Sequence, residues 1–160
     1  MRILRLAVWP LAAIAVTGCD RAETIGPPSV AYGNSVCDQC NMIISDERFA
    51  AATFIDGPRG RTAMLFDDYN CQFNFEHANP ELAILDRWAH DHATLVWIPA
   101  ETAVYVHSES IRSPMASRVA AFADRAGADA LFHELGDGAV IRFGQLSEAM
   151  GISGGGHPEP

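Results

Sequence analysis

A strand–strand–helix–strand pattern that occurs twice is the feature of this chain that most constrains its fold. In the first half, two apolar segments flank the turn-forming run 56–60, which contains two glycines and a proline and predicts a β-hairpin. Asp67 and Asp68 then favour a helix start, because acidic side chains cap and stabilise helix N-termini. The predicted elements of this half are strands 48–55 and 61–66, a helix 67–78 and a strand 82–90.

The second half repeats this order without obvious residue identity to the first. Its predicted elements are strands 94–98 and 103–107, a helix 116–135 broken near Gly127, a strand 139–143 and a helical turn 145–150. A mature chain of about 140 residues is long enough to bury one good core. We therefore predict an α+β fold in which two similar ββαβ halves form one compact domain, residues 36–150.

Residues 1–18 have the features of a signal peptide. Arg2 and Arg5 precede an apolar run, 6–16, that is too short to span a membrane. The run is followed by Thr17-Gly18-Cys19, which resembles the lipobox of bacterial lipoproteins, where cleavage before the cysteine is followed by its acylation. Lipidation at Cys19 is the prediction, and an ordinary secretory signal is the alternative.

The residues after Cys19 predict where the mature chain resides. Several acyl chains hold a protein stably at a membrane. Asp20 follows the lipidation site, and in many Gram-negative lipoproteins an Asp there is associated with retention at the inner membrane. We expect the mature protein on the periplasmic face of the inner membrane. Residues 19–35, rich in Gly and Pro, predict a flexible tether, and residues 151–160 a flexible tail.

The charge of the chain disfavours one class of partner. It carries 20 acidic against 11 basic residues, none of them lysine, for a formal net charge of −9. Removal of Arg2 and Arg5 with the signal peptide makes the mature chain more negative still. Nucleic-acid binding is therefore not expected. The acidic residues are dispersed, which is typical of a solvated surface.

A sulfur-rich motif lies where the tether meets the fold. Cys37, Cys40 and Met42 place two thiols and a thioether within six residues. Soft thiolate and thioether ligands favour Cu(I). In an extended segment Cys40 and Met42 face the same side, and Cys37 could join them through a turn. A Cys37–Cys40 disulfide, with Met42 packed in the core, is the alternative. Structural zinc is less attractive, because the chain has no second CxxC motif.

The number of cysteines sharpens this question. If Cys19 is acylated, Cys37, Cys40 and Cys71 remain, an odd number in an oxidising compartment where structural disulfides pair. At least one thiol therefore stays free or binds something. Cys71 lies four residues before Phe75, on one face of the predicted helix. We predict that Cys71 is a buried packing residue.

Met115 and three histidines are further candidate ligands. Ser113 and Pro114 suit a helix start, which would leave Met115 in an exposed first turn where it could complete a copper site. Its alternative role is packing beneath that helix. The three histidines are possible metal ligands, although each is more often a surface or hydrogen-bonded polar residue. They are His90, His92 and His107.

Six motifs occur in one order along the chain. They are Cys37-Asp38-Gln39-Cys40-Asn41-Met42-Ile43-Ile44, Phe66-Asp67-Asp68, Trp88-Ala89-His90-Asp91, Trp97-Ile98-Pro99-Ala100, Ala103-Val104-Tyr105-Val106 and Ser113-Pro114-Met115. Together they resemble the NosL family of copper-chaperone lipoproteins. The resemblance implies two ββαβ halves and Cu(I) binding at the outer face of the inner membrane. It also implies delivery through an ABC transporter complex and its periplasmic partner to nitrous oxide reductase, chiefly to its copper-sulfide centre.

The same resemblance implies roles for single residues. Cys40 and Met42 match the Cys-x-Met ligand segment of the family, Met115 matches its Pro-Met position, and Cys37 matches its first cysteine. Asn41 stands where Gly is common, a change that would affect the loop conformation because Gly accepts backbone angles that Asn tolerates less freely. Gln39 stands where Met is frequent, which removes one possible sulfur ligand.

Two other function classes compete with the copper chaperone. A tethered thiol-disulfide oxidoreductase would use Cys37 and Cys40, although CxxC in such enzymes usually follows a strand and opens a helix. A purely structural lipoprotein would use the same pair as a disulfide staple. The sequence contains no catalytic triad, phosphate loop or dinucleotide fingerprint. We predict that the protein is not an enzyme.

Overall fold

A computed structural model of the chain describes residues 26–152. The predicted signal peptide, the lipidation site Cys19, the first part of the tether and most of the predicted tail lie outside the described residues. Among residues 26–152, none of the helices combines the length and the apolar character that crossing a bilayer requires.

The first half folds as predicted, around a four-stranded antiparallel sheet. The strand order is β2-β1-β3-β4. Residues 51–55 of the central strand β1 are all buried, because other elements cover both faces of the sheet there. The elements are β1 (Ala51–Gly57), β2 (Gly60–Phe66), α1 (Tyr69–Ala78), β3 (Ile84–His90) and β4 (Trp97–Pro99).

The second half forms a three-stranded antiparallel sheet in the order β6-β5-β7, with one main helix. Gly138, with φ +98°, precedes β7, and a Cβ there would lie 2.1 Å from the carbonyl oxygen of His107, so only glycine fits. The elements are β5 (Val104–His107), β6 (Val119–Phe122), α2 (Arg125–Leu135), β7 (Ala139–Arg142) and a short α3 (Leu146–Ala149). The predicted α+β fold of two ββαβ halves is confirmed.

Two predicted elements of the second half are wrong in detail. The strand predicted at 94–98 is β4, which pairs with β3 and belongs to the first sheet. The second strand of this half is instead β6, in the segment predicted to begin a helix at residue 116. All four residues of β6 are buried, and so short an apolar run fits a strand or a helix equally well in sequence. Gly127 lies in the first turn of α2 and does not break it.

The predicted tether is shorter than expected. Residues 26–35 contain no helix or strand, but Pro28 is buried, and Val30 and Tyr32 pack against the main core. The Gly33 N–H also donates to the Ile44 carbonyl at 2.8 Å. Apolar side chains among the turn formers thus draw this segment onto the domain, which begins before residue 36.

One core and one buried carboxylate join the two halves. The main core contains residues of both halves, and the rings of Tyr69 and Tyr105 meet edge-on with their centroids 5.7 Å apart. Asp91, after β3, accepts hydrogen bonds from Thr94 in its own turn and from the Ala123 N–H of the second half at 2.7 Å. These contacts fix the halves against each other and so position the loops of one half on the other.

Candidate metal centre

The sulfur motif forms a tight loop that is anchored at both ends. Val36 and Ile43 form an antiparallel bridge, and the Cys37 N–H donates to the Met42 carbonyl at 2.8 Å. Asn41 lies in the left-handed region, with φ 61°. Asn enters this region more readily than most residues, so it occupies a conformation that glycine would also accept. The substitution of Gly by Asn therefore does not prevent the loop from closing.

The loop docks where β2 ends and α1 begins. The Asp38 N–H donates to the Leu65 carbonyl at 2.8 Å, and the Leu65 N–H donates to the Asp38 carboxylate at 2.5 Å. Asp67 follows β2 directly, and Cys71 lies in the first turn of α1. The docking brings the two cysteines of the loop against these two side chains.

Four potential ligand atoms gather at this place. The sulfurs of Cys37, Cys40 and Cys71 and a carboxylate oxygen of Asp67 all lie within 4.8 Å of one another. The Cys40 thiol donates to the two Asp67 oxygens at 3.7 and 3.8 Å. Cys37, Asp67 and Cys71 are buried and Cys40 is half-buried. All three cysteines are free thiols, so the Cys37–Cys40 disulfide is not formed in the structure.

The three thiols differ in acidity. The pKa of Cys37 is lowered to about 6, chiefly because the Cys71 thiol donates a hydrogen bond to its sulfur. The backbone N–H groups of Gln39, Cys40 and Asp67 stabilise the thiolate further, against the opposing effect of burial. The pKa of Cys71 is raised, because it donates to Cys37 and is buried, and burial also raises the pKa of Cys40. The surroundings therefore favour a thiolate at Cys37 over one at Cys40 or Cys71.

Cys71 and Asp67 are site residues that the sequence reasoning missed. Cys71 is buried as predicted, but it packs against sulfur instead of serving only the core. Two signals in the sequence could have identified it. The odd number of cysteines left one thiol without an assignment, and Asp67 lies only four residues before Cys71, just ahead of the helix start.

A second loop, residues 113–118, is bound to the same helix end. Asp68 is fully buried, and one of its oxygens accepts from Ser113 Oγ at 2.7 Å, the Met115 N–H at 2.8 Å and the Ser117 N–H at 3.4 Å. Its other oxygen caps α1 by accepting from the Asn70 N–H. The loop containing Met115 is thereby held next to Asp67.

The predicted helix start at Ser113-Pro114 is wrong, because the segment around Met115 is a turn. Ala116 and Arg118 both have left-handed φ, 59° and 57°. Such angles cost about 1 kcal/mol or more for residues other than glycine, and they cluster at functional sites. Among residues 26–152, three of the four non-glycine residues with positive φ lie in the two loops at this helix end, with Asn41 as the third.

The sulfur motif extends from the interior to the surface. Met42, two residues after Cys40, is 56% exposed, and its neighbours Val36 and Ile43 are exposed as well. Met115 is half-buried and packs against the main core. The loop thus offers one buried thiol, one half-buried thiol and an exposed thioether.

Among the described residues, the group around the cysteines contains no histidine. His90 is buried, with Nδ1 3.0 Å from the Leu95 carbonyl and Nε2 2.5 Å from the Tyr32 hydroxyl, and burial lowers its pKa. His92 stacks against Phe49 and Phe122, and burial lowers its pKa too. His107 ends β5. The structure therefore gives no support to these histidines as additional metal ligands.

A groove of about 360 Å³ lies along the other main helix, α2, between Gly127 and Glu134. Its lining is mostly apolar and includes Phe122, Gly127 and Leu131, with His92 and Glu134 as its ionisable side chains. The groove reaches Gly127 in the first turn of α2, and Cys71 lies in the first turn of α1.

Comparisons with known proteins agree with this geometry. The chain is 28% identical over 157 residues to the copper-binding lipoprotein NosL of Stutzerimonas stutzeri, covering 88% of this chain and 78% of that protein. The crystal structure of the copper chaperone NosL from Shewanella denitrificans superposes with a TM-score of 0.59 at 21% identity, covering 74% of this chain and 96% of that one. One is named a copper-binding lipoprotein and the other a copper chaperone, and neither name is that of an enzyme, as predicted for this chain. The NosL family model matches residues 30–151, the whole of the described domain but a few residues at its ends, and the chain therefore belongs to the NosL family.

Proposed function

We propose that this protein is a membrane-anchored Cu(I) chaperone. The observation that carries the proposal is the cluster of three thiols beside an exposed thioether. Thiolate and thioether are the ligands that favour Cu(I), and three of the four clustered groups are thiols. Hard cations such as Mg²⁺ prefer oxygen ligands, of which the cluster has one carboxylate. The names of the two relatives support copper as the metal.

The proposed ligands are Cys40, Met42 and Met115, with Cys37 as a further thiolate. Cys40 and Met42 belong to one loop, and Asp68 holds the backbone of Met115 at the helix end against which this loop docks. This shared anchoring of the two loops at one helix end supports the proposed ligand set. A partly open set of soft ligands suits a chaperone, because a partner can add its own ligand before the first protein releases the ion.

The surface around the site suits such a transfer. Met42, Val36 and Ile43 are all exposed, and Val36 and Ile43 lie opposite each other in the bridge, whereas Cys37 is buried. A partner that covers this apolar surface would exclude water and approach Cys40, which is half-buried. Transfer then proceeds by ligand exchange, with copper remaining Cu(I) throughout.

The anchor and the partners complete the proposal. Acylation of Cys19 would hold the protein on the periplasmic face of the inner membrane, and one relative is named a lipoprotein. Confinement to one membrane surface raises the effective concentration of donor and acceptor. We infer from family membership that the acceptor is the nitrous oxide reductase maturation machinery, an ABC transporter complex with its periplasmic partner. The copper would serve nitrous oxide reductase, chiefly its copper-sulfide centre.

The order of thiol acidity argues against the rival oxidoreductase. Such enzymes attack their substrates with an accessible cysteine of lowered pKa. Here the cysteine with the lowered pKa, Cys37, is fully buried, and the accessible one, Cys40, has a raised pKa. The CxxC motif also lies in a loop and does not open a helix.

An anaerobic Cu(I) competition titration against a chromogenic chelator tests the proposal on the full chain in detergent. We expect the wild type to retain stoichiometric Cu(I), Cys40→Ser to lose it, and Met42→Leu to weaken it. Met150→Leu is the matched control, because Met150 packs against the core. Loss of all copper to the chelator by the reduced wild type would contradict the proposal, and equal retention by Met42→Leu and wild type would remove Met42 from the site.

A further inference from the structure

The spacing of the three sulfurs fits a single metal ion. Three sulfurs arranged trigonally around one ion, at metal–sulfur bonds of about 2.3 Å, lie about 4 Å from one another. The sulfurs of Cys37, Cys40 and Cys71 already lie within 4.8 Å of one another in the free protein. An ion could enter between them with only small movements of side chains.

Burial separates this set of sulfurs from the outer ligands. Cys37 is 0% and Cys71 4% exposed, while Met42 is 56% exposed. Cys40 is half-buried and lies between the two levels. It can therefore belong both to an inner set, with Cys37 and Cys71, and to an outer set with the methionines.

The surroundings of Cys37 are built to hold negative charge. The backbone N–H groups of Gln39, Cys40 and Asp67 and the Cys71 thiol all favour the charged form of Cys37, which lowers its pKa. Cys71 itself lies in the first turn of α1, where the helix dipole favours an anion. The backbone donors remain in place when a cation binds, whereas the Cys40 and Cys71 thiols release their protons to solvent as they become thiolate ligands. The backbone donors and the cation together offset part of the mutual repulsion of the sulfurs and the Asp67 carboxylate.

We propose that Cys71 is a Cu(I) ligand and that Cys37, Cys40 and Cys71 form a buried three-sulfur position beneath Met42. This inference rests on the proposed function and deepens it. While no partner is bound, the three cysteines hold the ion away from water and from competing thiols, and the outer ligands share it by exchange, so loss of Met42 still weakens overall retention. Copper reaches the outer ligands by exchange at the shared Cys40, without a change of oxidation state.

The competing explanation is that Cys71 only packs and donates a hydrogen bond to Cys37. Cys71→Ser separates the two roles, because serine keeps a donor of similar size but removes the soft sulfur. Loss of groups that merely orient metal ligands costs about 10–100-fold in metal affinity, so loss of a direct ligand should cost at least as much. We expect Cys71→Ser to weaken Cu(I) binding by about 100-fold in the competition titration, with thermal unfolding close to that of the wild type.

A measurement on the wild type makes the test independent of how the variant folds. X-ray absorption of the Cu(I)-loaded full chain should show three equal short metal–sulfur bonds, whereas thioether ligands would add longer ones. Retention of Cu(I) by Cys71→Ser within about twofold of the wild type, or an absorption spectrum with fewer than three short bonds, would overturn the inner position and leave the proposed chaperone intact. Failure of the wild type to retain Cu(I) would instead refute the proposed function itself.

Discussion

The two strand-to-helix junctions of the repeat are built alike but carry different chemistry. We call them junction one (residues 67–71, where β2 meets α1) and junction two (residues 123–127, where β6 meets α2). Each helix begins after an aspartate that caps it, Asp68 and Asp124. Asp68 is buried and also holds the Met115 loop, whereas Asp124 is exposed and caps α2 through the Gly127 N–H at 2.9 Å.

Residues at equivalent positions relative to the two caps show how the junctions differ. The residue before the cap is Asp67 at junction one and Ala123 at junction two, and the third residue after it is Cys71 and Gly127 respectively. Junction one is covered by the cysteine loop and the Met115 loop, while junction two faces an open groove. The repeat therefore supplies two equivalent helix starts. The candidate site lies at junction one, where Asp67 and Cys71 stand in place of Ala and Gly and where two loops dock.

The largest expected effect concerns the two capping residues, Asp68 and Asp124. Asn caps helices about as well as Asp, so Asp124→Asn should change the free energy of unfolding by less than about 0.5 kcal/mol. In Asp68→Asn, the new amide would face the donors of Ser113, Met115 and Ser117. Buried donors without partners cost about 1–3 kcal/mol each, so we expect a loss of about 4 kcal/mol.

Denaturant unfolding of the apoprotein measures both cap variants, and Cu(I) titration shows whether release of the Met115 loop also weakens binding. Similar stability losses for the two variants would show that Asp68 is an ordinary cap. The role of the buried carboxylate in holding the loop would then be wrong.

The sequence predicted the scaffold better than the site, for physical reasons that differ by residue. Alternating apolar residues and turn formers are local signals, and they located β1, β2, α1 and β3 within a few residues. The run forming β6 is too short to distinguish a strand from a helix start. The assembly of Cys71 with Cys37 and Cys40 depends on the docking of a distant loop, which no local pattern encodes. Cys40, Met42 and Met115 entered through motif resemblance, and their ligation is still a prediction.

The next prediction concerns the thiolate that distinguishes junction one. The pKa of Cys37 is about 6, below the usual value of about 8.5, so the unfolded chain binds more protons between these values. The free energy of unfolding of the reduced apoprotein should rise with pH across this window, by up to about 1.4 kcal/mol per pH unit, and this contribution is lost as pH falls through 6. Above about pH 8.5 the raised pKa of Cys71 reverses the trend.

Cys71→Ala tests the cause of this pH dependence. Without the Cys71 thiol as donor, the pKa of Cys37 should rise and the stability should change less between pH 7 and 8.5, where histidines are already mostly neutral. Ultraviolet absorbance of the thiolate follows Cys37 directly and does not respond to the titration of His92, which lines the groove near junction two. An unchanged absorbance midpoint in Cys71→Ala would mean that the backbone N–H groups alone stabilise the thiolate.

The smallest expected effect concerns the backbone of the two loops that cover junction one. Asn enters the left-handed region readily, so Asn41→Gly should change stability by less than about 0.5 kcal/mol, the relief of strain being offset by the greater flexibility of glycine in the unfolded chain. Ala116 has no polar side chain to favour that region, and Ala116→Gly should stabilise the protein by about 0.5 kcal/mol. A loss of stability in Ala116→Gly, measured by denaturant unfolding, would show that its angle carries no strain. A gain confined to Ala116→Gly would mean that Asn41 holds the cysteine loop in its conformation without strain. The Met115 loop would then be held in a strained conformation by Asp68, a buried carboxylate for which junction two has no equivalent.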